Sequence, residues 1–480
     1  MCSKPLSLSR LFALLNCAAI LCCSQACARE FFVNNVDGND SNDGFASAPF
    51  KSIQQAANLA DAGDSIFLMP TKEPYRQPQV SFRKSGTANM PIVLDGRGAI
   101  LSGLQVSMPE QWKELGGGMY STRFVTDVPI DATWYEKFNL VFFDQKPGLK
   151  SVSKDKIEPY GYFLSIESTA NENNFFIKLP NGKTPKNTAI MLPQHDHTGL
   201  NVSGDHVTIK NLTSAYCLGD GFSTTDGHDI IFDNVRGCFN FNQGLGNHGS
   251  NVVVKNSTFD HNKQFGARDE LAKCESRYED CAFVENHPAG VECRGSKHRF
   301  VRCYFYNNSE IQAQSGKGAN IDLDNSYFHS PGNIGVHLWQ DQGSIKNCTF
   351  DGLSVGIDVL DAAAVCTGNA FKSCSMNMQV EITGGLDAEI AAGNYKSNAN
   401  LFVDGSFRIE HQGPELTYIE FAEKTGLDTN SVSVASITKA DSTTAPIKVG
   451  GKPYGSNLTP ALPQKLMNLQ SPDPRVQSPR

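Results

Sequence analysis

Two series of residues in the middle of the chain carry side chains suited to acid–base chemistry and sugar binding. One runs Ser223, Gly246, Arg268, Glu292, Gln314, His337, and the other Thr225, His248, Glu270, Arg294, Gly316, Trp339. Within each series the spacing is nearly constant. If each step is one turn of a coil, successive members stand about 4.8 Å apart and each series is a row on one surface. Glu270 and Glu292 then lie about 8 Å apart, inside the roughly 6.5–9.5 Å that an inverting glycosidic cleavage by general acid and general base requires. Stacked arginines would hold both carboxylates ionised, which argues against either as the acid. Asp220 and Asp226 are fallback carboxylates. A different chemistry, abstraction of the proton beside a uronate carboxylate, needs a base and a neutralising cation. Lys273 and Arg294, one repeat apart, fit that pattern. Trp339 among Arg268, His248, Gln314 and His337 also suits a sugar ring held without turnover. The purely structural alternative pairs Arg268 with Glu292 and Glu270 with Arg294, each worth about 0–1 kcal/mol when exposed.

The repeat that must position these rows runs from Val202 to about Arg408. Its anchors are Asn211, Asn234, Asn256, Asp280, Arg302, Asn325 and Asn347. Three residues after the anchors fall Phe259, Phe283, Phe305, Phe328 and Phe350, continued by Phe371. Eleven residues after them fall Phe222, Leu245, Ala267, Val291, Ala313 and Val336. Around the second column apolar and polar residues alternate, as in Gly335-Val336-His337-Leu338-Trp339, so the units are strands rather than helices. A coil of about 22 residues with several short strands predicts an all-β parallel β-helix. The anchor asparagines are expected to stack as amide ladders between coils.

Ahead of the coils, Pro49 to Ala62 predicts an amphipathic helix that covers the open apolar end. The turn Asp37 to Gly44 could cradle Ca2+, but Ala48 stands where a bidentate Glu would be needed, which favours a plain loop. The expected organisation is a leader over 1–28, a cap and first coils over 29–103, a stretch over 104–195 that breaks the coil rhythm, and coils over 196–408. A further segment over 409–435 and a disordered tail over 436–480 follow. The leader combines Lys4 and Arg10, an apolar run from Leu11 to Cys23, and Ala26-Cys27-Ala28 before Arg29. This predicts a cleavable secretory signal and a secreted or periplasmic protein; a lipid-modified Cys27 is the rival reading, and Ser24-Gln25-Ala26 lacks its usual aliphatic residue.

Net charge is −8, and about −10 without Lys4 and Arg10, which favours neither nucleic acid nor anionic membranes as partners. No later stretch is long and apolar enough to span a membrane. Nine of the 14 cysteines lie beyond the leader without a C-x-x-C pair, so no metal ligand is assigned. Cys281, Cys303 and Cys348 are expected to stack as small buried side chains, with a Cys281–Cys303 disulfide open to them.

The run V-D-G-N-D-S-N-D-G, then A-P-F-K-S-I-Q-Q-A, A-G-D-S-I and S-G-T-A-N-M-P-I-V-L-D-G, resembles the entry segment of secreted right-handed parallel β-helix proteins of the pectin-lyase-like superfamily. That resemblance covers about residues 30–435, and it implies a β-rich insertion over 104–195 and a C-terminal capping segment with a short helix over 409–435. It implies a carbohydrate-active protein, a polysaccharide lyase or glycoside hydrolase acting as a monomer on a polysaccharide, with a non-catalytic glycan binder as the alternative. Lys273 and Arg294 resemble the base and acid of alginate lyases and chondroitinase B. Where those proteins place acidic calcium ligands this chain has Gly266 and Arg268, so Ca2+ is left open as a cofactor and Arg268 is the candidate neutralising charge.

Overall fold

The anchors of the repeat are bends. In a computed structural model of the chain, Asn211, Asn234, Asn256, Asp280, Arg302, Asn325 and Asn347 all adopt left-handed backbone with φ between 50° and 55°. Asparagine tolerates that region best, which explains its frequency; at Asp280 and Arg302 the two side chains instead pair at 2.7 Å across neighbouring coils. The structure describes residues 28–125, 135, 136, 138–165, 172–193, 198–316, 318–437, 445–458 and 472. The leader lies outside them except for residue 28.

Each coil contributes three short strands, and the coils stack into three parallel rows. The first row includes Ile230–Asp233, Asn251–Lys255, Glu275–Glu279, Lys297–Val301 and Asn320–Asp324. After the left-handed bend the second row follows with Arg236–Cys238, Thr258–Asp260, Ala282–Val284 and Tyr304–Tyr306. The third row holds Phe222–Thr225, Leu245–His248, Phe265–Asp269, Ala289–Cys293, Ile311–Ser315, Ile334–Trp339, Val355–Leu360 and Met376–Glu381. Inside, the expected aromatic column is present: Phe259, Phe283, Phe305, Phe328, Phe350, Phe371 and Phe402 are buried, with successive centroids 4.6–5.6 Å apart. That spacing lets each ring face its neighbours in an offset stack.

The continuous amide ladder is on a different column from the one expected. Asn240, Asn262, Asn286 and Asn308 are buried, and each passes its Nδ2 to the next residue's Oδ1 at 2.9–3.0 Å, ending on Gln312 Oε1. On the anchor column only partial links form, such as Asn234 Nδ2 to Asn211 Oδ1, because those side chains face solvent and choose Asp95, Asp233 or Asp324 as often. Cys281, Cys303 and Cys348 are buried as expected, and Cys281 and Cys303 are free thiols rather than a disulfide, as are the other cysteines described.

The N-terminal helix is shorter than its pattern, Ile53–Leu59, because Ser52 caps it by accepting from the Gln55 amide. The described residues of 104–193 leave the coil and form mainly antiparallel sheets with a separate core, in which Phe138, Phe142, Tyr162 and Phe175 pack against Tyr216 and Phe241 of the coils. A second helix, Leu386–Ala391, interrupts the coil and stretches the Phe371–Phe402 step. The C-terminal helix Tyr418–Thr425 has a Thr417/Glu420 capping box and ends at Gly426. The expected disordered tail is corrected in part: Ile447–Val449 and Lys452–Tyr454 form a hairpin. Its Ile447 and Tyr454 cover Ala370, Leu401 and Val403, apolar residues on the outside of the second row. No helix among the described residues is long and apolar enough to cross a membrane.

Candidate functional site

Third-row strands alternate, with Leu245, Ala267, Val291, Ala313 and Val336 inward and the polar series outward. Ser223, Gly246, Arg268, Glu292, Gln314 and His337 are register partners in that order, and the row continues through Asp358, Gln379 and Arg408. The coil geometry therefore delivers the outward row. Arg268 is its central connector: its Nε meets Glu292 and its Nη1 lies 3.2 Å from Glu270 Oε1. Glu292, nearly buried, also receives Arg294 Nη2 at 3.1 Å and Gln314 Nε2 at 3.2 Å.

At one end of this network, His248 stands between two carboxylates. Its Nδ1 is 3.1 Å from Glu270 Oε2 and its Nε2 is 3.6 Å from Asp220 Oδ2. The two acids are driven apart in pKa. Burial raises that of Asp220, while the hydrogen bond from His248 lowers that of Glu270. His248 itself, facing first Asp220 and then Glu270, is pushed up to about 10 and is an imidazolium near neutrality. Gln243 Nε2 steadies Glu270 at 3.2 Å.

Further along, His337 Nδ1 is 2.8 Å from Asp358 Oδ2, and His411 Nε2 reaches the other oxygen of Asp358 at 3.1 Å. Trp339 is 44% exposed in the same coil. Beside it, Asp341 accepts the Trp339 amide on one oxygen while its other oxygen has no hydrogen-bond partner. Burial raises the pKa of Asp341 to about 7.

A family model described as "Right handed beta helix region" matches residues 270–413. Among solved structures, XylC with xylose superposes with a TM-score of 0.51 at 10% identity, over 84% of this chain and 82% of that one. This chain is a right-handed parallel β-helix protein. A glycoside hydrolase covers 84% of the β-helix protein and 99% of its own chain, with TM-score 0.43 and 10% identity. Pectate lyase Pel9A covers 86% and 82%, with TM-score 0.40 and 14% identity. No curated protein matches.

The β-helix brings together Arg268, Glu270, Glu292, Arg294, Gln314 and His248, as the repeat spacing implied. His337 and Trp339 lie farther along the same face. Lys273 and Arg294 turn to different partners. Lys273 Nζ is 2.6 Å from Asp226 Oδ1, back towards the N-terminal end, while Arg294 leans on Glu292. Three participants escaped sequence reasoning. Asp358 continues the outward row and was findable by carrying the same spacing one coil past His337. His411 follows the helical interruption, and Asp341 sits at a bend where alternation fails.

Proposed function

We propose that this β-helix protein is carbohydrate-active outside the cytoplasm, and that it hydrolyses a glycosidic bond at Asp220 and Glu270. The observation that carries the proposal is the placement of these two carboxylates on the two nitrogens of His248, 3.6 and 3.1 Å away. Two carboxyl groups with opposite pKa displacements are what one-step hydrolysis needs. Asp220, whose pKa burial raises, donates its proton to the leaving glycosidic oxygen. Glu270, kept ionised, takes a proton from the attacking water. The bond from the anomeric carbon to the leaving oxygen breaks as the bond to water oxygen forms, and one water is consumed. His248 positions both acids through its charge. The exposed Trp339 and the polar row between it and Glu270 supply a surface along which further sugar units extend. XylC, solved with xylose, shares the architecture, an analogy of fold rather than of site.

The test is incubation of the purified protein with a panel of neutral and acidic polysaccharides. Reducing ends released without an unsaturated, ultraviolet-absorbing product, and lost in Asp220→Asn and Glu270→Gln, support hydrolysis. An unsaturated product that survives both substitutions and disappears in Lys273→Ala would replace this proposal with β-elimination. Retention on a polysaccharide matrix without products would leave only a binder.

A further inference from the structure

Beneath the outward row, two adjacent coils turn polar groups into a core otherwise filled with Phe, Val and Leu. Asp269 and Cys293 are register partners at the ends of their third-row strands. Ser276 and His298 are register partners in the first-row strands that follow. Asp269, Cys293 and His298 are each at most 1% exposed, and one donor atom from each lies within 4.8 Å of the others. Asp269 Oδ2 is 3.1 Å from His298 Nδ1 and accepts from Ser276 Oγ at 2.9 Å; Ser276 Oγ is also 2.9 Å from His298 Nδ1. The second oxygen of Asp269 is fixed by Asn247 Nδ2 at 2.6 Å, and Asn247 is in turn held by Thr224. Such outer support is what orients metal ligands.

Hydrogen bonding within the cluster leaves groups unused. His298 Nε2 and the hydroxyl of Tyr278, which lies two residues beyond Ser276 in the same strand, are buried without a partner. Buried polar atoms are almost always paired, so two orphans beside one mixed-ligand cluster point to a missing ligand. A thiol, an imidazole and a carboxylate form the donor set of zinc-type sites; calcium, which takes six to eight oxygens, does not suit them.

We propose that Asp269, Cys293 and His298 bind a divalent transition cation, zinc above all, as an internal clamp between two coils. Ser276, beside both Asp269 and His298, stands where a fourth donor is needed. On binding, the Cys293 S–H bond breaks, a sulfur–metal bond forms and the proton leaves to solvent. Because the cluster is sealed, the ion enters as the coils close during folding. The clamp joins the strand ends beside Arg268 and Glu270 on one coil to those beside Glu292 and Arg294 on the next. It does not depend on what those outward residues do.

The full-length protein, produced with zinc in the medium and dialysed exhaustively, is expected to retain about one zinc per chain by mass spectrometry. Cys293→Ser is expected to retain less than about a tenth of that. Protein produced with cobalt is expected to show a thiolate-to-cobalt charge-transfer band that Cys293→Ser and His298→Gln lose. Folded wild-type protein with no bound zinc and no such band overturns the proposal. The wild-type cobalt spectrum decides the matter even if both variants fail to fold.

Discussion

Gly246 vacates the space that the Asp220 carboxylate occupies. A methyl group at position 246 would fall 2.3 Å from Asp220 Oδ2 and 3.1 Å from His248 Nε2. Position 246 belongs to the outward row, so every other residue type would project a side chain into the acid. Gly246→Ala is therefore expected to displace Asp220 from His248, costing about 1–3 kcal/mol of stability and most of the hydrolytic rate. Chemical denaturation and reducing-end assays on the same preparation measure both. Unchanged activity would remove Asp220 from the mechanism.

Asp220→Asn and Glu270→Gln keep size and hydrogen-bonding reach but abolish proton transfer. Each is expected to lower kcat by about 10²- to 10⁴-fold with KM nearly unchanged. Glu292→Gln should act differently. Glu292 neutralises Arg268 and Arg294, so its loss is expected to weaken binding or stability more than turnover. Steady-state kinetics of the three variants separate these roles.

The outward row was legible because a parallel coil converts sequence spacing directly into neighbourhood. Arg268 over Glu292 follows from the length of one coil as surely as Phe283 over Phe305 does. Legibility failed where the chain leaves the strand. Asp341 lies at a bend, where alternation no longer says which way a side chain points. His411 reaches Asp358 across more than one coil of sequence because Leu386–Ala391 breaks the period. Residue type and spacing alone point the amide ladder to the anchor asparagines. Those residues serve left-handed backbone, while the bonded ladder runs through Asn240 and Asn262 one bend later.

His248 ties stability to alkaline pH. Its pKa rises from 6.5 unfolded to about 10 folded, so the folded state holds the proton more tightly. The resulting stabilisation is complete below 6.5 and is lost as pH climbs through about 10. With a third of the side chain exposed, solvent screening limits it to on the order of 1–2 kcal/mol. Denaturation midpoints between pH 6 and 10 are expected to fall more for wild type than for His248→Gln. His261, raised to about 9, titrates in both proteins and cancels in the difference. Parallel curves would show that the Asp220–His248–Glu270 array carries no such charge.

Asp341 shifts stability in the same direction but over a lower pH interval. A buried carboxyl whose pKa rises from 3.8 to about 7 is neutral in the folded state, so unfolding releases a proton over that interval. Its stabilising effect is complete below pH 3.8 and declines up to about 7. Asp341→Asn removes the ionisation and is expected to be more stable than wild type above pH 7 by about 2–4 kcal/mol, with the two converging in acid. Thermal midpoints from pH 4 to 8 test this. A constant difference across the range would place the ionised carboxylate in a better solvated setting than its burial indicates.

Asparagine to glycine at two positions separates the two uses of that residue in the coil. At Asn234 the backbone is left-handed, φ 53°, and the exposed side chain makes one link to Asn211. Glycine accepts that backbone freely, so Asn234→Gly is expected to change stability by no more than about 0.5–1 kcal/mol. Asn262 instead accepts from both the backbone amide and the Nδ2 of Asn240, and donates to Gly237 O and Asn286 Oδ1. Its removal strands the amide of Asn240 and the carbonyl of Gly237 in the core. Each unsatisfied group costs about 1–3 kcal/mol, so Asn262→Gly is expected to lose about 2–4 kcal/mol and approach the damage of truncating a stacked ring such as Phe305. Urea unfolding of both variants against wild type measures the contrast. Equal losses would mean that the buried ladder contributes no more than the bends do, and that the aromatic column alone holds successive coils in register.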